Sequence, residues 1–184
     1  MQQHAGTAED ACYRGLAAYR KCVDRIRLAW PGFAEERRRR LNQAGIGRPV
    51  ERVAENILED MFTTVLDWPV ADVKLQVGGT RGFADIVLAR LGFKRLVLEV
   101  KRPGSLTGRR AAIEAALLQA RRYAADQRVS AVAVSDATLL YAADVHSGGL
   151  RPRVWLTLDS ERHAHLEAAL SAGGRRDPGP PTAP

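Results

Sequence analysis

Three strand-length apolar runs, at residues 73–77, 83–88 and 96–100, follow one another with only a few residues between them. A parallel pair needs a crossover of about a dozen residues or more. Connections as short as Gly78-Gly79-Thr80-Arg81-Gly82 and Leu91-Gly92-Phe93-Lys94 therefore leave antiparallel pairing between neighbours. The first connection lacks the Gly-Lys-Ser/Thr ending of a phosphate loop and reads as a hairpin turn. Upstream, Val53, Ala54, Ile57, Leu58, Met61, Phe62 and Val65 share one stripe of a helix over residues 50–66, started by Pro49. Downstream, a helix over 107–126 returns the chain to a strand at 129–134. A helix between strands permits a parallel, right-handed crossover. Strands at 138–141 and 154–158 and a helix near 160–170 complete the pattern.

Before this block, apolar residues Leu16, Tyr19, Val23, Ile26 and Trp30 predict an amphipathic helix over 9–29, stopped by Pro31-Gly32. A second short helix covers 33–43 and carries Arg37-Arg38-Arg39-Arg40, which is either a solvated face or a grip on a phosphate backbone. Gly45, Gly47 and Pro49 mark a linker. The expected organisation is an N-terminal helical extension (1–48), an α/β domain (49–172) and a disordered basic Gly/Pro tail (173–184).

The 184 residues suit one domain, and 46% hydrophobic with 27% charged residues is ordinary globular usage. There is no apolar stretch near the roughly 20 residues of a membrane span and no secretion signal at the start, so a cytoplasmic protein without membrane association is expected. Cys12 and Cys22 match no zinc spacing and read as buried, reduced helix residues. His146, His163 and His165 form no metal or triad pattern. The net charge of +7 points to a polyanion, with nucleic acid first.

The chemistry lies in two strands. Ala84-Asp85-Ile86-Val87-Leu88 places one carboxylate in an apolar run, and Leu96-Val97-Leu98-Glu99-Val100-Lys101 places another, with Lys101 two residues on. Side chains alternate along a strand, so Glu99 and Lys101 project from one face. Pairing of the strands brings Asp85 towards Glu99. Acidic groups in buried strands are costly and persist where a cation, partner or reaction requires them. Two carboxylates beside a lysine suit a hard cation such as Mg²⁺ or Mn²⁺. The competing reading is a surface ion pair worth about 0–1 kcal/mol, which the apolar surroundings of both carboxylates disfavour.

With thirteen residues between Asp85 and Glu99-Val100-Lys101, a preceding helix and a crossover helix, residues 50–145 resemble the PD-(D/E)XK nuclease superfamily. Gln119-Ala120-Arg121-Arg122-Tyr123 is similar to the Gln-x-x-x-Tyr motif of RecB-like nucleases and of the nuclease domain that begins type I restriction motor subunits. Glu99-Val100-Lys101-Arg102-Pro103 looks like the Glu-x-Lys-x-Pro variant of that branch, while Ala84 stands where many members carry Pro.

The resemblance implies an α/β restriction-endonuclease-like core: helix, three-strand antiparallel meander, crossover helix and further strands. It implies a Mg²⁺-dependent deoxyribonuclease in which Asp85, Glu99 and the Val100 carbonyl hold the ion and Lys101 orients the attacking water. A helix glutamate often joins such sites. Glu51 lies nearest the apolar stripe, Glu55 flanks it and Glu59 points away; the family spacing to Leu66-Asp67-Trp68 favours Glu55. Gln119 and Tyr123 would position groups around the site. Arg109, Arg110, Arg121 and Arg122, with Arg37, Arg38, Arg39 and Arg40, are the candidates for phosphate contacts. DNA is the expected partner, with RNA left open, and a homodimer or a restriction or defence complex is the expected assembly. The alternative is a non-catalytic or partner-dependent nucleic-acid-binding module on the same fold.

Overall fold

The computed structural model describes residues 17–44, 50–80, 82–106 and 109–158. The expected linker at 45–49, the helix near 160–170, the basic tail and Cys12 lie outside them.

A single 27-residue helix, α1 (Ala17–Gln43), runs through Pro31 and Gly32, where the sequence pattern predicts a stop. An interior proline costs about 3 kcal/mol through its missing N–H and its clash with the preceding turn. Burial on the same face offsets that cost: Ile26, Trp30 and Phe33 are buried, with the Trp30 and Phe33 ring centroids 5.3 Å apart on either side of the break. Each such side chain contributes roughly 1.5–3 kcal/mol. Cys22 is half-buried against the same core, a free thiol less enclosed than expected.

Helix α2 (Val50–Asp60) passes directly into a π-helical turn, Met61–Val65. All seven apolar residues of the predicted stripe are buried. A 3₁₀ turn, Val70–Asp72, then delivers the chain to the sheet.

Among the described residues six strands lie in sequence order: β1 (Val73–Gly79), β2 (Gly82–Arg90), β3 (Phe93–Val100), β4 (Ala131–Ser135), β5 (Leu139–His146) and β6 (Gly149–Thr157). β1, β2 and β3 form the antiparallel meander that their short connections require. Helix α3 (Arg110–Gln127) carries the chain to β4, which pairs parallel to β3; β5 and β6 add antiparallel. The result is a mixed α/β domain with a mostly antiparallel sheet.

The sheet separates two apolar clusters. One joins α1, α2 and the π turn to Ile86, Leu88, Leu98 and Val100. The other joins α3 to Val87, Val97, Val132 and Val134. Because Ile26, Trp30 and Phe33 belong to the first cluster, α1 shares the core of the sheet domain.

Among the described residues no helix is long and apolar enough to cross a membrane.

Candidate active site

The β2–β3 ladder runs from Arg90↔Phe93 to Ile86↔Leu98 and ends there. Beyond that rung β3 continues along β4, through Glu99↔Val134 and Val100↔Ser135, while β2 continues along β1 to Gly79↔Gly82. The sheet thus forks, and Asp85 and Glu99 are the first residues past the last shared rung. The fork would strand the buried N–H of Val100, a group that cannot be left unpaired without cost. Asp85 Oδ2 accepts that N–H at 2.8 Å, which fixes the carboxylate in the cleft between the diverging strands.

Glu99 lies on the α3 side by strand alternation, since Leu98 and Val100 pack into the opposite cluster. It is 3% exposed. Lys101 Nζ donates to Glu99 Oε1 at 2.7 Å and to Gln119 Oε1 at 2.9 Å, and Gln119 Nε2 donates to the Tyr123 hydroxyl at 3.3 Å. The four-residue spacing on α3 stacks Gln119 and Tyr123 so that this chain of bonds can form. Gly82 faces the phenol and has φ of +124°, a backbone that side chains rarely adopt; a Cβ there would stand 3.4 Å from the Tyr123 hydroxyl, so the backbone rather than crowding calls for glycine.

From the α2 side, Glu55 is buried; its Oε2 accepts from Arg52 Nη1 at 2.5 Å and its Oε1 from Gln76 Nε2 at 3.1 Å. The same Gln76 nitrogen reaches Asp85 Oδ1 at 3.5 Å. Glu55 is therefore linked to Asp85 through one amide. Glu51 is exposed and acts on Glu99 only as a like charge.

The carboxylates strain against one another. Burial pushes Glu99 up to about 7; the Lys101 ammonium opposes this, and the negative charges of Asp85 and Glu51 add to it. Burial also raises Asp85, with the Glu55 charge in the same direction and the Val100 N–H and Lys101 against. Among the described residues Glu99 Oε2 is buried with no hydrogen-bond partner. A buried acceptor in that state costs about 1–3 kcal/mol, and a cation is the kind of ligand that would satisfy it. Among the described residues no three His, Cys, Asp or Glu side chains form a ready-made cage. Two carboxylates are nonetheless the usual protein share of a Mg²⁺ site, with waters completing the shell. Asp85 and Glu99 supply oxygen donors of the type such an ion takes.

The arginines divide. Arg37 is a correction: it is 7% exposed, and its Nε donates to the Ala137 carbonyl at 2.5 Å, tying α1 to the β4–β5 turn rather than facing a ligand. Arg39 and Arg40 share Glu36, and Arg40 also meets Asp60 at 2.7 Å, so their charges are largely met within the protein. Arg38, Arg109, Arg110 and Arg122 are exposed and Arg121 is partly so, with Arg110 paired to Glu114. Arg121 and Arg122 line a groove with Leu118, Ala125, Val129 and Val145.

Gln76 belongs to none of the sequence motifs. The only available signal was register: a hairpin centred on Thr80-Arg81 puts Gln76 opposite Asp85.

Comparison with models of known protein families and with curated proteins finds no match for this chain.

Proposed function

We propose that this chain is a Mg²⁺-dependent nuclease of the PD-(D/E)XK type, hydrolysing phosphodiester bonds of DNA on a restriction-endonuclease-like core. The observation that carries this reading is the fork in the sheet, where Asp85 and Glu99 emerge from diverging strands beside Lys101 and the buried Glu99 Oε2 lacks a partner among the described residues. Asp85, Glu99 and the Val100 carbonyl would hold the ion. Bound there, Mg²⁺ supplies positive charge to a phosphoryl oxygen and lowers the pKa of a coordinated water.

The chain's own groups do the rest. Lys101 stands between Glu99 and Gln119, so its ammonium can hold the attacking water and stabilise charge developing on the phosphorus oxygens. Gln119 fixes the lysine, and the Tyr123 hydroxyl fixes Gln119. Glu55 adds negative charge at the α2 side of the cleft, linked to Asp85 through Gln76. The net charge of +7 supports a phosphate backbone as substrate.

Purified protein incubated with linear and circular DNA should cleave in Mg²⁺ and not in EDTA. Absence of Mg²⁺-dependent cleavage on DNA and RNA alike would leave the fold as a binding module or as one part of a partner-dependent enzyme.

A further inference from the structure

Gln76 has φ of +51°, a left-handed backbone in the interior of a strand and an uncommon conformation for a non-glycine residue. A residue of this kind costs about a factor of five to thirty in the folding equilibrium relative to glycine, by the general 1–2 kcal/mol penalty for L-residues in this region. The conformation has a visible effect on the strand. Val73 and Leu75 pack against the α1–α2 cluster, whereas Val77, on the same face by simple alternation, packs against the α3 cluster. The paired strand switches at the same rung: Ile86 and Leu88 belong to the first cluster and Ala84 to the second. The β1–β2 hairpin therefore turns over at Gln76 and Asp85, where the ladder skips from Leu75↔Ile86 to Val77↔Ala84.

Glycine would make this turn at lower cost, and β1 already ends in Gly78-Gly79. What glycine lacks is the amide. The exposed Gln76 places its Nε2 3.1 Å from Glu55 Oε1, a hydrogen bond, and 3.5 Å from Asp85 Oδ1, a long contact, so one neutral donor stands between two carboxylates from different elements. Glu55 has a competing tether in Arg52, which is half-exposed and draws the carboxylate along α2. Without the amide, nothing described holds Glu55 towards Asp85.

We propose that Gln76 is a positioning residue, a clamp whose left-handed backbone aims one amide at Glu55 and Asp85 and so keeps the helix carboxylate in register with the cation site. The inference deepens the nuclease reading and depends on it only for what the carboxylates hold. Partners that orient ligating side chains typically contribute about 10–100-fold to metal affinity.

Two variants separate the clamp from a purely structural turn. Gln76→Gly keeps the turn and removes the donor; Gln76→Met keeps the length and the backbone cost and removes the donor. Titration of each folded variant with Mn²⁺ alone should show binding at least fivefold weaker than wild type in both. A smaller loss in Gln76→Gly overturns the proposal, because the turn alone would then suffice. A second measurement needs no metal: in EDTA, urea unfolding of Gln76→Met, Glu55→Met and the double variant should show coupling of at least threefold in the unfolding constant. Additive effects overturn the clamp. If wild type binds no Mn²⁺, the nuclease reading falls, and the unfolding cycle decides on the clamp by itself.

Discussion

Glu99 makes the stability of the metal-free protein fall as pH rises. Its carboxyl is pushed from 4.5 to about 7 by burial, so between those values the folded chain holds a proton that the unfolded chain has released. The stabilising contribution is full below the unfolded pKa and lost as pH passes through about 7. A shift of that size corresponds to about 3 kcal/mol at 1.36 kcal/mol per pKa unit. Asp85 is raised as well, also by burial, and acts with the same sign. Replacement of Glu99 by glutamine removes the titration while preserving shape. Urea unfolding in EDTA at pH 5 and pH 8 should therefore show wild type losing stability across the interval by a few kcal/mol more than Glu99→Gln. Mg²⁺ should restore wild type at pH 8, because a cation favours the carboxylate form, and leave Glu99→Gln nearly unchanged. Equal pH slopes in wild type and Glu99→Gln would refute the reasoning that burial of this carboxylate outweighs its pairing with Lys101.

Gly32 sits on the exposed side of α1, and a Cβ there meets nothing within 4 Å, so Gly32→Ala should raise stability by about 0.5–1 kcal/mol in thermal unfolding. Arg37→Met should destabilise by about 1–3 kcal/mol through the orphaned Ala137 carbonyl, yet leave the salt slope of DNA binding unaltered. Charge reversal at Arg121 and Arg122 should leave stability nearly constant and flatten that slope, each lost phosphate contact removing about 0.9 from the log–log plot. Gln119→Ala and Tyr123→Phe should slow cleavage less than loss of Lys101, since they act through the lysine; a Tyr123→Phe rate as low as that of Lys101→Ala would give the phenol a direct part.

The meander was legible because connection length alone forbids the parallel alternative, and the α2 stripe because seven apolar residues repeat at helical spacing. The adjacency of the strands that carry Asp85 and Glu99 followed from the same short turns, whereas the fork that ends their ladder at Ile86↔Leu98 did not. Four further features were not legible for physical reasons. Continuation of α1 through Pro31-Gly32 depends on tertiary burial of Trp30 and Phe33, which overrides a local propensity that favours a stop. Arg37 sits in a basic run that looks uniform, and only the packing of α1 against the β4–β5 turn singles it out. β5 and β6 extend well beyond the predicted 138–141 and 154–158, because Ala142, Ala143 and Asp144 have weak strand character and are held by partners across the hairpin. Gln76 combines both difficulties: its importance resides in a backbone angle and in a neighbour more than twenty positions away.

The central claim is that Asp85 and Glu99 bind the ion while Lys101 serves the reaction without ligating it. Mn²⁺ titration and Mg²⁺-dependent DNA cleavage measured on the same preparations of wild type, Asp85→Ala, Glu99→Ala and Lys101→Ala test this most directly. The account predicts that the two carboxylate variants lose both binding and cleavage, and that Lys101→Ala binds Mn²⁺ like wild type yet does not cut. Wild-type cleavage rates in Asp85→Ala or Lys101→Ala, or Mn²⁺ affinity that survives removal of both carboxylates, would contradict it.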